Sequence, residues 1–146
     1  MKESIAMSMK LFKLPVLSFR VEDNKYINLL IDSGSDANHI DRRIKTIFPD
    51  LVETKTENFV MYAGGNQDLI CSVHMTFSDD EKQYEADFNY INGDTFDFLE
   101  KDTGVRIHGI LGTCFMVAHN WTIDFANLLI TDEIAAKQTI PTDTQR

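Results

Sequence analysis

Apolar residues recur along this chain mainly at every second position, the period of strands with one buried face. The spacing predicts a first strand over Leu11 to Val21, bent or at an edge because Pro15 lacks an N–H. A polar turn, Glu22 to Lys25, leads to a second strand over Tyr26 to Ile31. That strand ends in a nearly continuous apolar run, Ile27, Leu29, Leu30 and Ile31, as expected where both faces are buried. Asp36 to Phe48 is mixed, suiting a short strand or a helical turn, and Pro49-Asp50 breaks it. Asn58 to Tyr62 and Leu69 to Phe77 read as strands flanking a Gly-rich hairpin tip, Ala63 to Gln67. Gln83 to Ile91 alternates as a strand. Thr95 to Thr103 suits a short helix or a loop, ended by Gly104. Val105 to Leu111 predicts a buried strand, Thr113 to His119 a helix, and Trp121 to Ile130 a last strand with Ile123, Phe125 and Leu129 on one face. The fold class expected is therefore mostly β with one short C-terminal helix. No repeat of fixed period and no linker divides the chain. Residues 1–10 read as a flexible lead-in, 11–131 as the folded domain, and 132–146 as a partly disordered extension.

The size fits one domain: 146 residues, 43% hydrophobic, with ten Phe, four Tyr and one Trp for a core. The net charge of -9, with no clustered Lys or Arg, argues against nucleic acid as a partner. No run approaches the roughly 20 apolar residues of a membrane span. Charges at Lys2, Glu3 and Lys10 break any signal-peptide pattern, so a cytoplasmic location and no membrane partner are expected. Cys71 and Cys114 match neither a disulfide framework nor a zinc spacing and are expected as buried thiols. His39, His74, His108 and His119 are scattered, so no metal and no cofactor are expected.

The chemistry concentrates at one place. Asp32 ends a buried apolar strand, where an isolated carboxylate is costly without partners. Ser33, Gly34 and Ser35 follow: small residues that allow a tight turn and offer hydroxyls. A phosphatase-type Asp-x-Asp or an integrin-type metal site would need Asp or Ser at position 34, which is Gly34, and no P-loop Lys follows. The tetrapeptide alone suits a capped Asx-turn equally well.

Taken in order, three segments resemble the retropepsin family of aspartic proteases. They are Leu29-Leu30-Ile31-Asp32-Ser33-Gly34-Ser35-Asp36 (preceded by Leu14-Pro15-Val16), Tyr62-Ala63-Gly64-Gly65-Asn66, and His108-Gly109-Ile110-Leu111-Gly112 followed by a helix and Trp121-Thr122-Ile123-Asp124-Phe125. The resemblance spans roughly residues 11–130. It implies a closed barrel forming half of an acid protease and a homodimer, since one chain carries one Asp-Ser-Gly loop. Asp32 from each subunit would share one proton and activate a water against a peptide bond. By the same resemblance Ser33 and Gly34 complete the catalytic loop. Ser35, Asp36, Tyr62, Ala63, Gly64 and Gly65 would contact a peptide or protein substrate, the glycines as a flap. Ile110, Leu111 and Gly112 would support the loop from below. Viral members often carry Arg-Asn or Arg-Asp where this chain has Thr113-Cys114, so this chain looks closer to cellular or bacterial members. A catalytically inactive dimer of the same fold, serving as a peptide-binding or interaction domain, is the alternative.

Overall fold

In a computed structural model of the chain, residues 1–61 and 67–132 are described. The strands are β1 (Lys2–Ser4), β2 (Val16–Glu22), β3 (Lys25–Ile31), β4 (His39–Asp41), β5 (Val52–Met61), β6 (Gln67–Ser78), β7 (Gln83–Ile91), β8 (Gly109–Leu111), β9 (Thr122–Asp124) and β10 (Leu129–Thr131). The helices are α1 (Ala6–Phe12), α2 (Ile44–Ile47), α3 (Asp97–Thr103, preceded by a 3-10 turn) and α4 (Thr113–Ala118). Six strands close a barrel in the order β2-β3-β8-β4-β7-β6, sealed by pairing of Arg20 with Ser78. β5 extends from β6, and β1-β10-β9 form a separate three-stranded sheet. Closure leaves the six barrel strands no open edge along the ring, which is how small all-β domains limit unpaired backbone.

The pattern of burial follows the pleat. Ile27, Leu29 and Ile31 of β3 enter the main core with Phe19, Val73, Met75, Phe77 and Phe88. Leu30, on the opposite face, packs on a second cluster of Val16, Phe96 and Ile107. Both faces of β3 are thus covered, which is why its sequence is nearly continuously apolar. An aromatic cluster ties the C-terminal elements to the barrel. Phe115 of α4 meets Phe77, Tyr84 and Trp121 at centroid separations of 5.8, 5.7 and 5.2 Å.

Several elements differ from the sequence reading. The first ten residues, expected as a loose lead-in, form β1 and most of α1, and Ile5 is fully buried in the main core. Leu11 and Phe12 belong to α1 rather than to the first strand. Ala6, Met7, Met9, Lys10 and Leu11 are all good helix formers, and extended geometry is enforced only at Leu14, ahead of Pro15. The stretch 36–48 holds both a strand (β4) and a helical turn (α2). The strand expected over Val105 to Leu111 shortens to Gly109–Leu111, although the backbone of His108 still bonds both neighbouring strands. Its N–H goes to Asn28 of β3, and its carbonyl accepts from Asp41 of β4. The strand expected over Trp121 to Ile130 is a hairpin. The Asp124 carboxylate accepts both the Asn127 N–H (3.0 Å) and its side-chain amide (2.8 Å), turning the chain. Phe125, expected on the buried face, is 57% exposed. No helix among the described residues is long and apolar enough to cross a membrane.

Candidate active site

The site forms where β3 and β8 run parallel and end together. Leu29, Leu30 and Ile31 pair with Gly109, Ile110 and Leu111. The Asp32 N–H continues that ladder to the Leu111 carbonyl (3.0 Å). Asp32 therefore leaves the sheet at a fixed position, half-buried, at the end of a strand locked on both sides. The chain then turns: the Gly34 N–H donates to Asp32 Oδ1 (2.8 Å) and the Ser35 N–H to the Asp32 carbonyl (3.2 Å). A Cβ on Gly34 would lie 3.1 Å from Asp32 Oδ1, so the glycine keeps room beside the carboxylate. Ser33 and Gly34 are exposed.

The far side of the loop is fastened to α4. The Ser35 carbonyl accepts from the Thr113 N–H (2.7 Å) and its hydroxyl (3.2 Å), and the Asp36 carbonyl accepts from the Cys114 N–H (3.2 Å). The first N–H groups of a helix have no partner within the helix; here the loop supplies their acceptors. The loop and α4 thus hold one another. Ser35 Oγ donates to the Ala37 carbonyl (2.8 Å), and Asp36 accepts the Ala37 N–H (2.8 Å).

Gly112 makes this approach possible. A Cβ there would sit 2.4 Å from the Ala37 carbonyl oxygen and 2.7 Å from that of Ser35. Gly109 has the same character one turn of the pleat earlier, with a Cβ 2.3 Å from the His39 carbonyl. Ile110, Leu111 and Gly112, singled out in the sequence as supporting residues, lie directly against the strand end and the loop.

Two residues not singled out in the sequence complete the constellation. Asn38 bridges three elements: its Oδ1 accepts the Gly112 N–H (3.0 Å), its Nδ2 donates to the Asp87 carbonyl (3.2 Å), and its own carbonyl accepts from Asn89 (2.9 Å). The only signal in the sequence is a polar residue two positions before the buried Ile40. The imidazole of His39 has a buried Nδ1 with no hydrogen-bond partner among the described residues. Burial holds it below the ordinary histidine range, against the opposing pull of the Asp36 and Asp32 carboxylates.

The segments expected to face a substrate fall partly outside the described residues. Tyr62, Ala63, Gly64 and Gly65 all lie there. β5 and β6 pair up to Met61 opposite Gln67. Cys114, expected in the core, is exposed, because α4 turns Phe115 and Met116 inward instead.

No family model matches the chain, and no curated protein matches it in sequence. Solved structures do match in shape. The chain is similar to EIAV protease complexed with the inhibitor HBY-793 (14% identity, 74% of this chain and 89% of the other, TM-score 0.51). It is also similar to the retroviral protease-like domain of Ddi1 from Leishmania major (12% identity, 84% and 90%, TM-score 0.55). A third is a retropepsin-like aspartic protease from Rickettsia conorii (16% identity, 79% of each chain, TM-score 0.50). With its closed six-stranded barrel and the Asp32 loop wedged between β3, β8 and α4, the chain has the fold of the retropepsin-like aspartic proteases.

Proposed function

We propose that the chain is one subunit of a homodimeric aspartic endopeptidase, with Asp32 as its catalytic carboxylate. The observation that carries this reading is the rigid placement of Asp32. It stands at the end of a doubly paired strand, with the Gly34 N–H on one oxygen and the loop fastened to α4. Such fixed positioning is what a carboxylate needs to work on a bound water rather than on bulk solvent.

One carboxylate per chain is half of the required chemistry. Two Asp32 groups meeting at a two-fold axis would not both ionise readily and would hold one proton between them. The ionised partner takes a proton from water as it attacks the peptide carbonyl. The protonated partner donates to the carbonyl oxygen, and the leaving amine is protonated as the tetrahedral intermediate collapses. Ser33 and Gly34 belong to this loop; Ser35 and Asp36 present backbone and carboxylate beside it for an extended peptide. By the sequence resemblance, Tyr62, Ala63, Gly64 and Gly65 are assigned to contact that peptide as a flap.

The test is cleavage of a peptide library at about pH 4 to 6, where a shared proton is held, comparing wild type with Asp32→Asn. Wild type cleaves, and the variant loses at least about a thousandfold in kcat. Equal cleavage by both removes Asp32 from the mechanism. A folded wild-type dimer that cleaves nothing favours the inactive binding domain.

A further inference from the structure

β8 is only three residues long, yet it is the strand on which Asp32 is fixed. Its entrance is held by side chains as much as by backbone. The His108 N–H donates to the Asn28 carbonyl (2.8 Å), and in return the Asn28 N–H donates to Nδ1 of the His108 ring (2.9 Å). The Asn28 side-chain amide donates to the Arg106 carbonyl (2.8 Å), and its oxygen accepts from the Ser18 hydroxyl of β2 (2.5 Å). The His108 carbonyl accepts from the Asp41 N–H of β4 (2.8 Å). His108 thus ties β8 to both neighbours just before Leu29, Leu30 and Ile31 pair with Gly109, Ile110 and Leu111.

One of these bonds depends on a proton. Nδ1 accepts the Asn28 N–H only while it carries a lone pair; protonated, it becomes a donor facing a donor. Both residues are half-buried, so the Asn28 N–H loses its partner where water reaches it poorly. Only the three register pairs separate this bond from the Asp32 N–H on Leu111, a ladder short enough to open as one unit. The charged groups around the ring are few. Arg106 lies on its own segment, Glu100 of α3 is bonded to Arg106, and Asp41 at the end of β4 is bonded to Arg43. β3 faces the ring with the uncharged Asn28. Burial first, and Arg106 after it, favour the neutral ring, against the pull of Asp41 and Glu100.

We propose that His108 is a positioning residue for Asp32: by accepting the Asn28 N–H, its neutral ring keeps β3 and β8 together up to the Asp-Ser-Gly turn, and its protonation loosens Asp32. The inference rests on the reading of Asp32 as the catalytic carboxylate. His108 touches no reacting atom in this scheme; it acts through the β3–β8 ladder. The acid limb of cleavage then belongs to an imidazole at the far end of that ladder, not to the Asp32 pair itself. Acid first opens the strand pair beneath the site, while the β6–β7 ladder, which makes no bond to His108, stays closed.

The experiment follows peptide cleavage against pH together with amide hydrogen exchange of wild type, at pH values where melts show the chain folded. In wild type, kcat falls on acidification with KM nearly unchanged. The Asn28 and Asp32 amides lose protection together as the His108 ring titrates, and amides of the β6–β7 ladder keep theirs. His108→Asn keeps an acceptor near the place of Nδ1 that does not titrate. It holds kcat at neutral pH within about threefold and moves the acid limb down by at least about one pH unit. His108→Leu has no acceptor and loses about tenfold in kcat at every pH, with KM near that of wild type. His119→Asn removes another imidazole held neutral by burial, one that packs on Tyr84, and leaves the limb in place. An acid limb that stays put in His108→Asn, or an Asp32 amide still protected once His108 is protonated, overturns the inference. If the variants lose their fold, exchange in wild type decides the question by itself. A wild type that cleaves nothing, yet opens Asn28 and Asp32 together as His108 titrates, leaves the positioning role standing and overturns the peptidase reading alone.

Discussion

The candidate site is held together by residues outside the Asp-Ser-Gly turn. Asn38 is the clearest. Its amide supplies the acceptor for the Gly112 N–H and a donor to the Asp87 carbonyl, so one side chain joins the loop to β7 and to the start of α4. Asn38→Ala is expected to lower kcat by about tenfold to a hundredfold with KM nearly unchanged, the signature of misplaced rather than missing chemistry. The stability loss is about 1–2 kcal/mol, because a half-buried N–H is left without its partner. Asn38→Asp keeps the acceptor for Gly112 and loses the donor to Asp87, so it recovers part of the rate. A KM that rises with kcat untouched would instead place Asn38 at the substrate. At this scale Asp32, Gly34 and Gly112 were legible, because Asp at an apolar strand end and Gly at a tight crossing are unusual choices with few physical reasons. Asn38 was not legible, since any polar residue is at home in a loop and nothing local says what its amide will reach.

Elements were legible where their boundaries have local causes. Gly104 is such a boundary: it ends α3 in a left-handed conformation (φ +74°), with its N–H on the Glu100 carbonyl. A Cβ there would meet nothing within 4 Å, so the cost of Gly104→Ala is backbone strain alone. The variant is expected to lose about 1 kcal/mol of unfolding free energy with cleavage unchanged, as read by urea titration. A neutral result would mean that α3 ends elsewhere. Elements misjudged in the sequence had non-local causes. α4 was expected from its apolar residues, but which of them face inward is decided by the Phe77–Tyr84–Trp121 cluster that receives Phe115. Cys114 consequently lies outside. The last strand was expected as one because its alternation is continuous through Phe125. The Asp124–Asn127 turn breaks it, using a short-range polar contact that periodicity does not register.

Across the whole molecule, burial of imidazoles sets the response to acid. His39, His108 and His119 are all held below the ordinary histidine value of 6.5, in each case first by desolvation. Asp36 and Asp32 oppose this at His39. At His108, Arg106 adds to it, while Asp41 and Glu100 oppose it; at His119, Lys82 adds and Asp132 opposes. His108 Nδ1 accepts the Asn28 N–H (2.9 Å), which requires a neutral ring nitrogen there. Between the folded value and about 6.5 the unfolded chain binds protons that the native chain does not, so stability rises with pH across that window. It is fully present above about pH 6.5 and is lost as pH falls through the folded values. Thermal melts from pH 7.5 downward should show a falling melting temperature below about pH 6.5, and His108→Gln should flatten part of the slope. A melting temperature that holds or rises on acidification counts against this account. By itself, the sequence determined the β class, the barrel strands nearest the site and an Asp-Ser-Gly turn at a strand end, because period-two burial, a doubly apolar strand and a tight turn are local statements. Only the tertiary structure decided that β3 and β8 end together, that the loop caps α4, and that β1 closes its sheet in cis. Those relations join positions distant in the chain, such as Ile31 with Leu111 and Glu3 with Ile130, and their free energy exists only once the chain has closed on itself.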